Sequence, residues 1–372
     1  MAANDVFRSR EYSAFRSAVA QKKVTVSGVE WIYYEAGPKT VDSPIIFLPP
    51  ICGTADIFYK QVLSLSALQY RVMSVELPVV WEMESFCQLF GEFLNFLNFS
   101  KVHIFGASLG GFLAMKFAEF SSSCPRVNSL ILCNSFADTS FFNREHLASS
   151  FWLCPVKILR NIICKNVYSG GSEDMSIVRS VSFMLNRLNQ LSQKQLASRL
   201  KLNCAENYVK PHLVNDLPVT LLDVFDVNAL TDQVRENLYK CFPESKKAHL
   251  KSGGNFPYLS RASDVNLHIQ IHLREFANSR YSARKGVPSD YEMKLERSPF
   301  KNEERNSAET EESTNQVTSI NALVSSLAFT DVTSSNAGLG RFDNSSLPIM
   351  DTTQYISVLQ ENDEPHLENE NE

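Results

Sequence analysis

What this sequence lacks narrows what it can do. Its eight cysteines are scattered between Cys52 and Cys241 with no Cys-x-x-Cys pair, so neither a zinc ribbon nor a redox dithiol is supported. Several sit inside apolar runs, as Cys133 does in Leu130-Ile131-Leu132-Cys133, where a reduced thiol packs as a small hydrophobe. There is no run of about 18 uncharged apolar residues, and no transmembrane helix is expected. No basic stripe stands out, the formal net charge is -5, and the pI lies near 5.9. Nucleic acid is therefore not expected as a partner. Met1-Ala2-Ala3-Asn4-Asp5 has no basic start leading into an apolar stretch, unlike a signal peptide. These absences together lead us to expect a soluble, reduced, cytoplasmic chain.

What is present is an apolar text that changes character once. The chain has 372 residues, 44% of them hydrophobic and 21% charged, enough for one large α/β domain with sequence to spare. Phe, Leu, Val and Ile are dense up to about residue 275, and the text turns polar beyond about 285. Residues 23 to 35 alternate around Ser27-Gly28 and predict an edge hairpin. Pro44 to Leu48, Tyr70 to Val75, Val102 to Phe105, Ser129 to Cys133 and Val219 to Phe225 are short unbroken apolar runs. Such runs suit central strands buried on both faces. Between them, Phe86, Leu89, Phe90, Phe93, Leu94 and Leu97 follow the three-four spacing of an amphipathic helix.

Strands alternating with helices imply a mostly parallel sheet covered on both faces. From about 139 to 215 the strand signal gives way to helical patterns, as expected of a lid inserted between two sheet strands. A last apolar helix is predicted from about Asp264 to Phe276. The expected organisation is a domain over residues 1–282 and a tail over 283–372 too polar to offset its ordering entropy.

The most informative local pattern is His103-Ile104-Phe105-Gly106-Ala107-Ser108-Leu109-Gly110-Gly111-Phe112. It places Gly-x-Ser-x-Gly directly after an apolar strand and before a helical stretch running to about Phe120. A sharp strand-to-helix turn pushes the serine out at the end of the sheet, and the flanking glycines avoid clashes there. The helix N-terminus then offers N–H groups toward developing negative charge. In this context the motif resembles the nucleophile elbow of the α/β-hydrolase fold, and the match covers roughly residues 25 to 275.

Within that superfamily the chain is most similar to the divergent maspardin family. The resemblance is carried by Ile46-Phe47-Leu48-Pro49-Pro50, Gly53-Thr54-Ala55-Asp56, the elbow itself, and Leu130 to Phe136. His249-Leu250-Lys251-Ser252-Gly253-Gly254-Asn255-Phe256-Pro257-Tyr258-Leu259 completes it. The resemblance implies a cytosolic protein that binds the cytoplasmic tail of a membrane receptor. It also implies peripheral association with endosomal or trans-Golgi membranes.

A working serine hydrolase of this fold needs a histidine base, a carboxylate to orient it, and backbone donors for the oxyanion. In catalytic members the base stands in Gly-His-Phe-Pro before the last helix. Here Asn255 occupies its place in Gly254-Asn255-Phe256-Pro257, and an amide has no useful basicity near neutral pH. The acid follows the strand at Val219. Counting from Asp226 puts Ala229 at the acid position, with Asp226, Asp223 and Asp138 as nearby substitutes whose simpler reading is strand-end turn residues. Where catalytic members often carry His-Gly, this chain has Pro49-Pro50, leaving Ile51 and Leu109 as oxyanion donors.

None of the seven histidines has a positional claim to replace the base. His103 is expected beside the sheet, His249 on a strand, His212 in a loop, and His146 in the insertion. His268 and His272 are one helical turn apart without a third ligand, and His366 is in the tail. No metal and no cofactor is expected. The leading expectation is a non-catalytic binding or adaptor protein. The alternative is an esterase- or lipase-like serine hydrolase using Ser108 with a rearranged triad, beneath a lid carrying Phe141, Phe142, Phe151 and Trp152. A weaker third reading is a pocket that binds a small ligand without turnover.

Overall fold

The apolar runs become the inner strands of one sheet. The computed structural model describes residues 9–142, 150–167, 174–226 and 229–286. The tail expectation beyond residue 286, with His146 and His366, lies outside the described residues. In chain order the strands are β1 (Gln21–Val26), β2 (Val29–Ala36), β3 (Ile45–Leu48), β4 (Val72–Val75), β5 (Val102–Ala107), β6 (Val127–Cys133), β7 (Val219–Val224) and β8 (Lys246–Leu250). They form an eight-stranded sheet in the order β1-β2-β4-β3-β5-β6-β7-β8. β2 pairs antiparallel with β1 and β4, and every other pairing is parallel. The expected hairpin closes at Ser27 (φ 51°) and Gly28 (φ 78°), the left-handed pair that a tight two-residue turn requires.

Ten helices are needed to follow the argument. They are α1 (Arg10–Ala18), α2 (Tyr59–Ala67), α3 (Met83–Phe96), α4 (Leu109–Phe120), α5 (Val156–Val167), α6 (Met175–Gln190), α7 (Gln193–Cys204), α8 (Asp232–Cys241), α9 (Pro257–Ser260) and α10 (Ala262–Leu273). Alternate residues of each central strand enter two separate cores. Ile45, Phe47, Phe105, Ile131 and Leu222 pack with Phe15 of α1, Val62 of α2, Val265 and Ile269 of α10, and the insertion helices. Ile46, Leu48, Ile104, Leu130 and Leu221 pack with Phe90 of α3, Phe112 of α4 and Leu238 of α8. Burial on both faces is why these strands read as unbroken apolar runs rather than alternating ones.

The insertion between β6 and β7 holds α5, α6 and α7, and two buried arginines fasten it down. Arg199 of α7, 0% exposed, donates to the Ile51 carbonyl at 3.2 Å, the Gly53 carbonyl at 2.7 Å and the Leu77 carbonyl at 3.1 Å. Its guanidinium also lies 3.8 Å from Glu76, which accepts from Gln195 at 2.7 Å. Burial pushes the Glu76 carboxyl up while Arg199 opposes that shift. Arg187 of α6 donates to Asp56 at 2.7 Å, and Tyr12 and Thr54 also donate to that carboxylate.

The far end of the sheet is closed by the last described residues. Arg71 donates its N–H to the Ala283 carbonyl at 2.9 Å, and Lys285 donates to Gln69 at 2.9 Å. His103 lies 2.7 Å from both Ser129 Oγ and the Tyr281 carbonyl. His272 lies 2.8 Å from Thr220 Oγ1. Both are buried beside the sheet, so His272 is a core residue rather than an ordinary helix-face one. Burial lowers the His103 pKa to about 4 and the His272 pKa to about 3.

These contacts generate expectations about stability. Arg199→Met strands Glu76 and three carbonyls in the core, and should cost about 3–5 kcal/mol in urea denaturation. The two histidines bind protons near pH 6.5 when unfolded but stay neutral to about 4 and about 3 when folded. Between those values the unfolded chain binds more protons. Stability is therefore full above pH 6.5 and falls as pH drops toward 4, on the order of 3 kcal/mol for His103 alone. Urea midpoints across that range should show the fall, and a His103→Gln/His272→Gln variant should flatten it.

Candidate functional site

The site is built where β5 turns into α4. Ser108 has φ 50° and ψ -117°, a conformation that costs an L-residue roughly 1–3 kcal/mol. It persists because its surroundings overdetermine it. Its N–H donates to the Cys133 carbonyl at 3.0 Å. Its own carbonyl accepts from the Ser135 hydroxyl at 3.0 Å and from Gly111 and Phe112 N–H groups at 2.9 and 3.1 Å. A Cβ at Gly106 would overlap the Gly111 backbone, and one at Gly110 would overlap the Leu48 carbonyl. The glycines of the motif are therefore required by the close approach of β3, β5 and α4, whatever the serine does.

Two loops face Ser108 across the carboxyl ends of the strands. Asn134 follows β6 at φ 43°, a conformation that asparagine tolerates better than most residues. Its side-chain nitrogen donates to the Gly254 carbonyl at 3.1 Å. The loop it holds carries Asn255, whose Oδ1 accepts the Ala229 N–H at 2.7 Å. The residue in the base's place thus meets the residue in the acid's place. Their hydrogen bond has the polarity opposite to that of an imidazole donating to a carboxylate.

The expected acids take other work. Asp226 accepts from the Gly253 N–H at 2.8 Å and from the Gly254 N–H at 3.1 Å, so its carboxylate shapes the loop that carries Asn255. Asp223 accepts from the Tyr239 hydroxyl at 2.7 Å, and burial raises its pKa. It shares its strand face with Leu221, on the α8 side of the sheet. Asp138 accepts from the Ser140 N–H at 2.8 Å, as a turn residue does. His249 stands on β8, stacked on Phe225 with ring centroids 5.0 Å apart, and His212 is exposed in a 3-10 turn.

Ser108, Ile51 and Asn255 share a cavity of about 500 Å³, lined also by Ile162 and Ile163 of α5 and Leu200 of α7. Leu109 opens α4, so its N–H belongs to the first turn and has no carbonyl a turn earlier to bind. The Ile51 carbonyl is held by Arg199, which fixes the loop after β3 to the insertion. The four lid aromatics separate. Phe141 and Phe142 line the cavity, Phe151 is buried in the core, and Trp152 is 58% exposed. Burial pushes the Cys52 thiol up to about 12 and raises that of Cys133, so these two of the three cysteines lining the cavity stay protonated. Arg199, Asn134 and Tyr258 were not among the expected site residues. A lone arginine between Leu196 and Leu200, on an apolar helix face, is the signal that marks the first.

No family model matches the chain. Its backbone is similar to that of a thermophilic esterase from Thermogutta terrifontis, with TM-score 0.57 and 18% identity, covering 69% of this chain and 98% of that one. It is also similar to the enol-lactonase from Burkholderia xenovorans, with TM-score 0.58 and 15% identity, covering 68% and 100%. At those identities the likeness shows the α/β-hydrolase fold alone. Curated relatives are much nearer in sequence. Maspardin of Danio rerio is 51% identical over 278 residues, covering 74% of this chain and 89% of the relative. Maspardin of Homo sapiens is 49% identical over 278 residues, covering 74% and 90%. At that identity over that share of both chains, the chain belongs to the maspardin family.

Proposed function

We propose that this chain is a non-catalytic member of the hydrolase fold that acts by binding. We further propose that its partner is the cytoplasmic tail of a membrane receptor, met at endosomal or trans-Golgi membranes. The observation that carries the first part is the Asn255 Oδ1 contact with the Ala229 N–H at 2.7 Å. A base must accept the proton that Ser108 gives up, and a carboxylate must stabilise the resulting cation. Asparagine and a backbone amide supply neither. No histidine, aspartate or glutamate stands among the described residues lining the cavity, so Ser108 keeps the weak nucleophilicity of an ordinary hydroxyl. The partner and the membrane rest on the family resemblance. No helix among the described residues is long and apolar enough to cross a membrane, in keeping with attachment through a partner.

A second reading, turnover through Ser108 with a rearranged triad, is favoured by one observation. The strained elbow is intact and opens on a cavity of about 500 Å³. A fluorophosphonate probe separates the two. The purified chain should show no mass increase at neutral pH, matching a Ser108→Ala control; stoichiometric labelling that the control lacks would falsify the non-catalytic reading. The polarity of the 229–255 contact gives a further expectation. Asn255→His alone should stay silent toward p-nitrophenyl acetate, because the new imidazole has no carboxylate to orient it. Ala229→Asp combined with Asn255→His should raise the rate at least about tenfold above the single variant. An active single variant would show that the acid was never missing.

A further inference from the structure

The insertion is charged differently from the rest of the chain. From residue 150 to 204 the sequence has eight lysines and arginines against two acids, Glu173 and Asp174, in a chain whose net charge is -5. Spread over that length, the excess becomes a patch only once the helices pack. Folding turns part of it inward. Arg187 pairs with Asp56 and Arg199 stands by Glu76, Arg160 donates to the Asn189 and Leu191 carbonyls, and Lys201 meets Glu82 at 2.6 Å. Arg179 borders a separate groove with Lys60. Lys157, Lys165 and Lys194 are exposed, and none of the three has an ion pair among the described residues.

Beside these lysines the chain exposes two large apolar side chains in succession. Trp152 is 58% and Leu153 64% exposed, on the one-turn 3-10 helix Phe151–Leu153. Tryptophan is highly buried on average in folded chains. The turn that carries it is firmly held. Phe151 is buried in the core, and Gln193 of α7 donates to the Trp152 carbonyl at 2.6 Å and the Cys154 carbonyl at 3.1 Å. Those bonds bring the turn against the start of α7, where Lys194 stands. Lys157 follows Leu153 by four residues, on the first turn of α5. Lys157, Asn161 and Lys165 then recur along the exposed side of α5, opposite the buried Leu159 and Ile163.

An acidic peptide would match these lysines alone, and an apolar groove on a partner would match Trp152 and Leu153 alone. An anionic bilayer meets both, because apolar side chains enter the boundary between headgroups and acyl chains while ammonium groups stay at the phosphates. We propose that the outer face of the insertion, Trp152 and Leu153 with Lys157 and Lys194 beside them, docks directly on an anionic bilayer. This deepens the membrane part of the reading above and rests on it for the source of the bilayer, but it needs no receptor tail. Stable attachment takes two weak signals, and the lipid contact is the one that belongs to this chain alone.

The test is flotation of the full chain with phosphatidylcholine vesicles, with and without about 30% phosphatidylserine, and with no receptor tail present. The chain should float only with the anionic vesicles and should be released at about 0.5 M salt. Lys157→Gln/Lys194→Gln and Trp152→Ser/Leu153→Ser should each weaken binding at least about tenfold, with circular dichroism unchanged because all four side chains are exposed. Brominated acyl chains report which indole is immersed. Of the three tryptophans, Trp31 is fully buried, so quenching should come from Trp152. Trp152→Phe, which keeps an aromatic ring, should stay bound but lose most of the quenching. Flotation that ignores phosphatidylserine, or that survives both double substitutions, would overturn the proposal. So would absence of flotation; a Trp152 emission that then shifts with a glutamate-rich peptide, or with rising chain concentration, would give the surface to an acidic segment or a second copy. Each of these failures leaves the receptor-tail reading standing, since the assay contains no receptor tail.

Discussion

A single guanidinium in the core sets much of the arrangement around the site. Arg199 comes from the insertion, yet its donors end on the loop after β3 and the segment after β4, at Ile51, Gly53 and Leu77. Taking an arginine fully out of water is unfavourable unless each donor finds an oxygen and a counter-charge stands near. Those oxygens exist only when α7 is seated on the sheet. Lifting the insertion would expose three carbonyls and Glu76 together with the cation that matches them. Asp56 and Arg187 of α6 repeat the device on a second buried ion pair. The helices over Ser108 thus behave as a fixed wall of the cavity, and α7 defines the loop in which an oxyanion would sit.

That fixity explains why the geometry of the elbow does not depend on a base or an acid. The conformation of Ser108 is imposed by backbone packing, with Gly106 against Gly111 and Gly110 against the Leu48 carbonyl. Altering it disturbs the register of the central strands. The base and the acid have no such hold on the fold. Asn255 and Ala229 still meet in one hydrogen bond, and Asp226 still anchors the glycines before Asn255. Stability is served by the bond and is indifferent to its polarity, while proton transfer depends on the polarity entirely.

The same distinction decides what could be read from sequence. Strands buried on both faces announce themselves, as Ile45 to Leu48 and Val102 to Ala107 do, and the insertion was visible as the loss of that signal after β6. Asn255 was legible because it replaces one residue inside a recognisable loop. The contact between Ala229 and Asn255 was not, since a backbone N–H leaves no mark on residue identity. Asp226 was legible as a carboxylate near the end of β7, but its work on Gly253 and Gly254 depends on a loop 27 residues away in sequence. Arg199 and Asp56 were hidden for a related reason. A buried charge looks like a surface charge until the partner that satisfies it is placed.

The cavity itself is the last constraint. Unfilled space between packed side chains forfeits contact energy, and this one is bordered by Ser108, Asn203, Thr231, Gln233 and Asn255 as well as by apolar side chains. Chains under selection for stability alone would fill such a space, because larger side chains at Ala107 or Cys204 lie one substitution away from shrinking it. Asn255 and Ala229 are neutral where proton transfer needs a base and an acid, yet the volume and the fixed wall remain. Proton-transfer groups and binding space are separable: the wall that Arg199 keeps in place preserves the space whatever stands at residues 229 and 255.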